Sequence, residues 1–463
     1  MRNALRFFVP AALLVLVLAL GGCASISGPL LSDRVAYCQD LYAKGQQAVL
    51  NQDYRRAADL FERAARSGSV DSAYALATLY RDSRLISDDP EAAKKEAFFW
   101  MHEAAIGELP QAQYELAIFY GEGKGVEPDQ DKAIYWLQQA GENGNTLAQR
   151  FLGMLYQYGE NANARVQQDY AQAAYWHLKA ARGGNAESQV AIGHLYQRGQ
   201  GIEKDYVQAA KWNYLAARQG VSGAMNALAS MYSQGRGYRR DYDRAIALYK
   251  RAIEQDNPAA LFGLALLRYY APPPYRNYQE AVRLFTQAEE KGIADAGTML
   301  GIASLQGKGI KRNDAAAAEW FSKASRAGSG EGFAMLGYCL RYGRGVPRDM
   351  PAAVQAFIAG SQLDDARSQR YYAEMLQQGL GTELNYAEAL RLYKLAAAKG
   401  DAQSMYMVGA MYERGLGTEP DIEAARDWYQ HVVDHSPLEY SSLQPEDIST
   451  VQRKAKAALQ RLK

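Results

Sequence analysis

Three side chains near the C-terminus have the types and spacing of a metal site. Asp427, His431 and His435 fall at i, i+4 and i+8, so one helix face could offer a carboxylate and two imidazoles to a divalent ion. A metal-dependent enzyme is one reading of this trio, and a polar face near a helix end is the preferred one. The other histidines, His102, His177 and His194, are scattered. There is no His-Glu-x-x-His, no Gly-x-Ser-x-Gly and no Walker loop, and no strand pattern that would carry a dinucleotide fold. The expectation is a non-enzyme with no catalytic residue, metal or cofactor.

A second group of residues suits binding rather than catalysis. Arg236, Arg239, Arg240 and Arg244, then Lys308, Lys311 and Arg312, then Arg341, Arg344 and Arg348 cluster around short Gly-x-Gly turns. Asp241, Asp243, Asp314 and Asp349 offset these ten cations only in part. If the turns share one edge, that edge suits an anionic glycan or an acidic protein surface. A solvated edge without a ligand is the competing reading.

What must position these residues is a repeat. Asn185 to Gly220 shows it cleanly: small and apolar residues at helical spacing (Ser188, Ile192, Leu195, Tyr196), a Gly199-Gln200-Gly201 interruption, then a second periodic run stopping at Gly220. Gly-x-Gly returns at Gly123, Gly235, Gly307, Gly343, Gly379 and Gly415, the last four spaced by 36 residues. Such a period predicts an all-α, right-handed superhelical α/α solenoid of about eleven helix-turn-helix repeats over 33–436. Nine repeats have 36 residues; the second (69–108) and fourth (145–184) have 40.

Aligning the repeats assigns a job to each column. An alanine recurs in every second helix, from Ala57 and Ala97 to Ala389 and Ala425, where only a small side chain fits. Four residues before it stands Asp or Asn, an N-cap, in every repeat except the second, which has Ala93. First helices repeat a small residue, among them Ser72, Ala112, Ser188, Ala296 and Gly332, for close helix approach. All six tryptophans (Trp100, Trp136, Trp176, Trp212, Trp320, Trp428) fall three residues after the repeated alanine and read as core. The Gly-x-Gly reads as a helix stop rather than a phosphate cradle. The longer segments Ser83–Pro90 and Gly159–Gln168 are a second candidate binding face.

The pattern small-x-x-x-apolar-Gly-x-x-Tyr-x-x-Gly-x-Gly-apolar-x-x-x-Asp, followed by Ala-x-x-Trp-x-x-x-Ala-Ala, resembles the Sel1-like repeat, a relative of the tetratricopeptide repeat, over roughly 69–436. The first repeat lacks Gly-x-Gly and looks like a plain tetratricopeptide unit, and the seventh has Ala271-Pro272-Pro273-Pro274 in its place. The resemblance implies a scaffold for protein–protein interactions. Sel1-like lipoproteins serve envelope assemblies such as exopolysaccharide secretion, and others act in signalling or host contact.

Residues 1–22 stand apart. Arg2 and Arg6 precede an apolar stretch, Phe7 to Leu20, and then Leu20-Gly21-Gly22-Cys23. This resembles a lipoprotein signal peptide with a lipobox, which implies cleavage before Cys23, acylation of Cys23 and stable anchoring by several acyl chains. Ala24 after the cysteine favours, by the same resemblance, the outer membrane with the protein facing the periplasm. Residues 23–32 would be an anchor linker and 437–463 a C-terminal capping helix, with Ile448, Val451, Ala455, Leu459 and Leu462 on one apolar face.

Composition, 48% hydrophobic and 22% charged with 33 tyrosines, describes a folded soluble chain. Losing Arg2 and Arg6 with the leader turns the formal net charge from +1 to −1, so bulk charge names no partner. Cys38 and Cys339 lie in distant repeats, and no structural disulfide is expected. The expected partners are envelope proteins along the repeat surface, the membrane through Cys23, and an anionic glycan at the basic edge; nucleic acid is not expected. Direct glycan or peptidoglycan binding is the alternative function.

Overall fold

The computed structural model describes residues 29–85, 89–159, 166–434 and 448–462. The leader, Cys23, most of the anchor linker, His435 and 436–447 lie outside them. The described residues form 23 α-helices and no strand. They pair as α1 Pro29–Leu50 with α2 Tyr54–Arg66, α3 Val70–Arg81 with α4 Pro90–Ile106, and α5 Pro110–Glu122 with α6 Gln130–Glu142. Next come α7 Thr146–Tyr158 with α8 Tyr170–Arg182, α9 Ala186–Arg198 with α10 Tyr206–Arg218, and α11 Ser222–Gln234 with α12 Tyr242–Ile253. Then follow α13 Pro258–Tyr270 with α14 Tyr278–Glu290, α15 Ala294–Gln306 with α16 Asp314–Arg326, and α17 Gly330–Tyr342 with α18 Met350–Gln362. The series closes with α19 Ala366–Gln378 and α20 Tyr386–Ala398, α21 Ala402–Arg414 and α22 Ile422–Asp434, and α23 Ile448–Arg461. Contacts divide the chain into two compact units, one up to Leu195 with Gln200–Glu203, the other Tyr196–Gly199 with Lys204 onward. Each unit is an α/α solenoid.

Each second helix begins where its cap says it should. Asp129, Asp169, Asp205, Asp241, Asn277, Asn313, Asp349, Asn385 and Asp421 all accept from amides of the first turn, as in Asn313 Oδ1 to Ala316 N at 3.1 Å. Each bond satisfies an orphan donor, worth about 1 kcal/mol over alanine. The second repeat explains its own exception. Its second helix starts one turn early, capped by Asp89 and opened by Pro90, so α4 has 17 residues and Ala93 lies inside it. Its extra four residues are thus a helical turn rather than the irregular turn expected at Ser83–Pro90. In the fourth repeat both helices keep 13 residues, and the extension lies in the connection between them. The first repeat joins its helices through only Asn51–Asp53, a tetratricopeptide-like turn.

Small residues let the helices close up. The repeated alanine is buried in every second helix except for half-buried Ala133, and the small residue of the first helices is buried throughout. A deeper column runs one residue after the tryptophans: Phe61, Met101, Leu137, His177, Asn213, Tyr249, Phe285, Phe321, Phe357, Tyr393 and Tyr429, all buried. Several of these rings lie on a glycine of the first helix; a Cβ at Gly337 would meet Phe357 at 2.4 Å and one at Gly301 would meet Phe321 at 2.4 Å. The tryptophans are partly core: Trp100, Trp176 and Trp212 are buried, while Trp136, Trp320 and Trp428 are half-buried. In α23, Val451, Ala455 and Ala458 pack with Ala425, Tyr429 and Val432, and Arg461 reaches Glu413 at 2.6 Å.

The two turn glycines do different work. Gly343 is the left-handed C-cap of α17 (φ 66°), closing on Cys339 O, which is the expected helix stop. Gly345, also left-handed (φ 75°), presses the turn onto the preceding repeat, where a Cβ would stand 2.0 Å from Asp314 O at the start of α16. The same approach occurs at Gly309 on Tyr278 O and at Gly237 on Tyr206 O. The second glycine is therefore the joint between repeats. Gly343→Ala carries the left-handed penalty alone, about 1–2 kcal/mol. Gly345→Ala carries it together with a backbone overlap, so its urea unfolding midpoint should fall further than that of Gly343→Ala; equal shifts would disprove the joint.

Candidate interaction edge

The turns of the second unit put most of the expected cations on one edge, but the carboxylates among them decide which stay available. Arg244 pairs with Asp241 at 3.3 Å and lies over the Tyr232 ring at 5.7 Å. Arg312 and Arg344 both bind Asp314, at 3.3 and 3.2 Å, and those two guanidinium groups hold its carboxyl below the usual range. Arg341 departs from the expectation. It belongs to the body of α17, is buried, and pairs with Glu374 of the next first helix at 2.8 Å, so it stitches repeats together and is withdrawn from the edge. Arg239, Arg240, Lys311 and Arg348 are exposed.

Two tyrosines organise the remaining cations. Lys204 and Arg236 lie over the Tyr206 ring at 5.0 and 5.4 Å. Two repeats on, Arg276 and Lys308 lie over Tyr278 at 5.6 and 5.5 Å, and Lys308 also faces Tyr269 at 5.7 Å. Each tyrosine is the first residue of a second helix, and the second glycine of the next turn packs on its carbonyl. Beside Tyr278 opens a cavity of about 520 Å³, lined by Asn277, Gln279, Gly307, Gly309, Ile310 and Lys311. Lys204, Arg276, Tyr206 and Tyr278 were not among the residues singled out by sequence; their signal was position, a cation two residues before a tyrosine that opens a second helix.

Asp427 and His431 both lie on α22, where the His431 ring meets Trp428 edge-on at 5.8 Å, and His435 lies outside the described residues. Among the described residues no group of three His, Cys, Asp or Glu side chains could hold a metal, and no helix is long and apolar enough to cross a membrane. Cys38 and Cys339 are both free thiols.

One further surface is apolar. On α7, Leu147, Phe151, Met154 and Tyr158 fall at i, i+4, i+7 and i+11 and are 40–64% exposed. The same four positions carry Gln111, Glu115, Ile118 and Glu122 in α5, and Glu187, Ala191, His194 and Arg198 in α9. The period was readable in the sequence, but which face of α7 points outward was not.

His177 takes an aromatic's place in the buried column. It bonds Gln157 Oε1 at 3.1 Å and Ser188 Oγ at 3.3 Å, and burial, with the nearby Arg150 charge, depresses its pKa to about 4. Below the unfolded value near 6.5 the unfolded chain takes up a proton that the folded chain refuses until about pH 4. On the order of 3 kcal/mol of stability should therefore be lost as pH falls from about 6.5 to 4. Measured by urea unfolding across that window, the unaltered protein should lose stability relative to His177→Phe as pH falls; parallel curves would refute the assignment.

The Sel1 repeat model matches eleven times, from 34–69 through 402–430, leaving little of the array unmatched. The structure of c5321, a protective antigen present in uropathogenic Escherichia coli strains and displaying an SLR fold, is 25% identical, covers 93% of this chain and 95% of its own, and superposes with a TM-score of 0.55. A Sel1 repeat protein from Oxalobacter formigenes is 23% identical over 76% of this chain and 89% of its own, with a TM-score of 0.39. The chitin synthase regulator SKT5 of Saccharomyces cerevisiae is 31% identical over 110 residues, 23% of this chain and 15% of that protein.

Proposed function

This chain belongs to the Sel1 repeat family, and from that premise we propose that it is a non-catalytic scaffold that holds partner proteins in an envelope assembly, tethered through an acylated Cys23. The observation that carries the reading is the apolar stripe of α7. Four large side chains on one helix face water where neighbouring repeats show mainly charged and small ones. Isolated exposed apolar residues need no explanation, whereas a contiguous row with helical period suits the apolar face of a partner helix. Exopolysaccharide secretion is the assembly that the resemblance favours. Ala24, directly after Cys23 in the lipobox-like stretch, supports the outer membrane, facing the periplasm, as the place.

The basic edge supports a second reading, binding of an anionic glycan. Its observation is the set of cations that no carboxylate neutralises among the described residues: Arg236, Lys308 and Lys311, with Lys204 and Arg276 beside them.

The two readings separate in one experiment. Full-length protein crosslinked in native membranes should recover the same envelope proteins in repeated pull-downs, and the double variant Leu147→Asp with Phe151→Asp should lose at least tenfold of that recovery while keeping its helical circular dichroism. Undiminished recovery would remove α7 from the interface. No protein recovered at all would end the scaffold reading.

A further inference from the structure

We propose that the two tyrosine–cation clusters of the second unit are two copies of one binding cradle, and that together they take a linear polysaccharide bearing carboxylate groups. This inference rests on the second reading of the basic edge and gives it a place, a stoichiometry and a ligand class.

The copies match residue for residue. In one, Lys204, Tyr206, Arg236 and Arg239 correspond to Arg276, Tyr278, Lys308 and Lys311 of the other, 72 positions later, which is two repeats. In both, one cation two residues before the tyrosine and another from the next turn cover its ring, at 5.0 to 5.6 Å. The last cation of each set replaces an acid. The equivalent position of the Gly-x-Gly turns is Glu127, Glu203, Glu383 and Glu419, with Glu203 directly before Lys204, and Pro347 in the ninth repeat; only Arg239 and Lys311 reverse the charge. None of Lys204, Arg236, Arg276, Lys308 and Lys311 meets a carboxylate among the described residues. The repeat between the cradles has Arg240 before Tyr242 but Pro272 where the next turn's cation would stand. In the eighth repeat Asp314 stands in the tyrosine's position and neutralises Arg312 and Arg344.

The lining selects the ligand. Beside Tyr278 the cavity is lined by Gln279, by Asn277, whose Oδ1 already caps α14, by the glycine backbone of the turn and by Lys311, with Ile310 as its one aliphatic side chain. A hydroxyl-rich chain with carboxylates satisfies amides and cations together. An acidic protein segment would need an apolar anchor pocket that this lining does not provide. Single-stranded nucleic acid would need free aromatic faces, and two cations already lie over each of these rings. Two cradles two repeats apart, on the order of 20 Å, suit a polymer whose charges recur along it. Each alone offers a few exposed charges of modest strength.

The test measures binding of full-length protein to polygalacturonate at low and at 0.5 M salt, with dextran and polyglutamate as neutral and peptide comparators. The expected result is salt-sensitive binding to polygalacturonate alone. Arg236→Glu or Lys308→Glu singly should lower affinity severalfold, and the pair together at least a hundredfold. Lys250→Glu, which reverses an exposed charge outside the cradles, should leave it unchanged. If polygalacturonate binds but the pair loses no more than Lys250→Glu does, the cradles are wrong while glycan binding by the edge stands. If polygalacturonate does not bind, the edge's glycan reading falls as well. Equal binding of polyglutamate would overturn the ligand class and return the edge to an acidic protein.

Discussion

The architecture depends on one close approach. The second glycine of each Gly-x-Gly turn must come within contact of a carbonyl near the start of the preceding repeat's second helix, where no Cβ can stand. That approach fixes where the turn lies, and the turn fixes where the next second helix starts, because the Asx cap follows a few residues later. Burial of the repeated alanine and of the deep aromatic column then follows from helices already in place. A repeat that loses the glycine needs another tie. The seventh, with its proline turn, has one: Arg268 binds Tyr275 O at 3.0 Å and Glu280 at 2.9 Å, and Tyr275 reaches Asp243 at 2.9 Å.

Much of this could be read from the chain alone, because a repeat compares itself. Eleven aligned copies expose the cap, the alanine and the turn, and the helices start where the caps predict. The comparison was weaker where a column varies. The residue after each tryptophan is buried more deeply than the tryptophan itself, yet it is variously aromatic, aliphatic, His and Asn, so no single type marked it. The extra four residues of the second repeat read as loop because Ala93 stood in the cap column; a Pro90 after Asp89 was the overlooked start signal.

The edge was legible in outline and not in detail for an electrostatic reason. Sequence counts charges, whereas geometry pairs them. Arg341 sits two residues before a turn in sequence, but its place within the helix buries it beside Glu374. Asp314 silences two arginines at once. What survives is a smaller set, and it is regular because in two repeats the tyrosine that opens the second helix meets a cation on each side of it in sequence, one before it and one from the next turn.

The lengthened α4 shows how such a chain can grow. Its added turn lies ahead of the alanine and the deep core residue, so both keep their depth, and the cap simply moves back with the helix start. The fourth repeat accepts the same number of residues in its connection instead. Insertions between the first helix and the buried half of the second thus leave the neighbouring repeats undisturbed. In descent, that segment is where one repeat can diverge and take on a new specificity while the rest of the array stays under selection for packing.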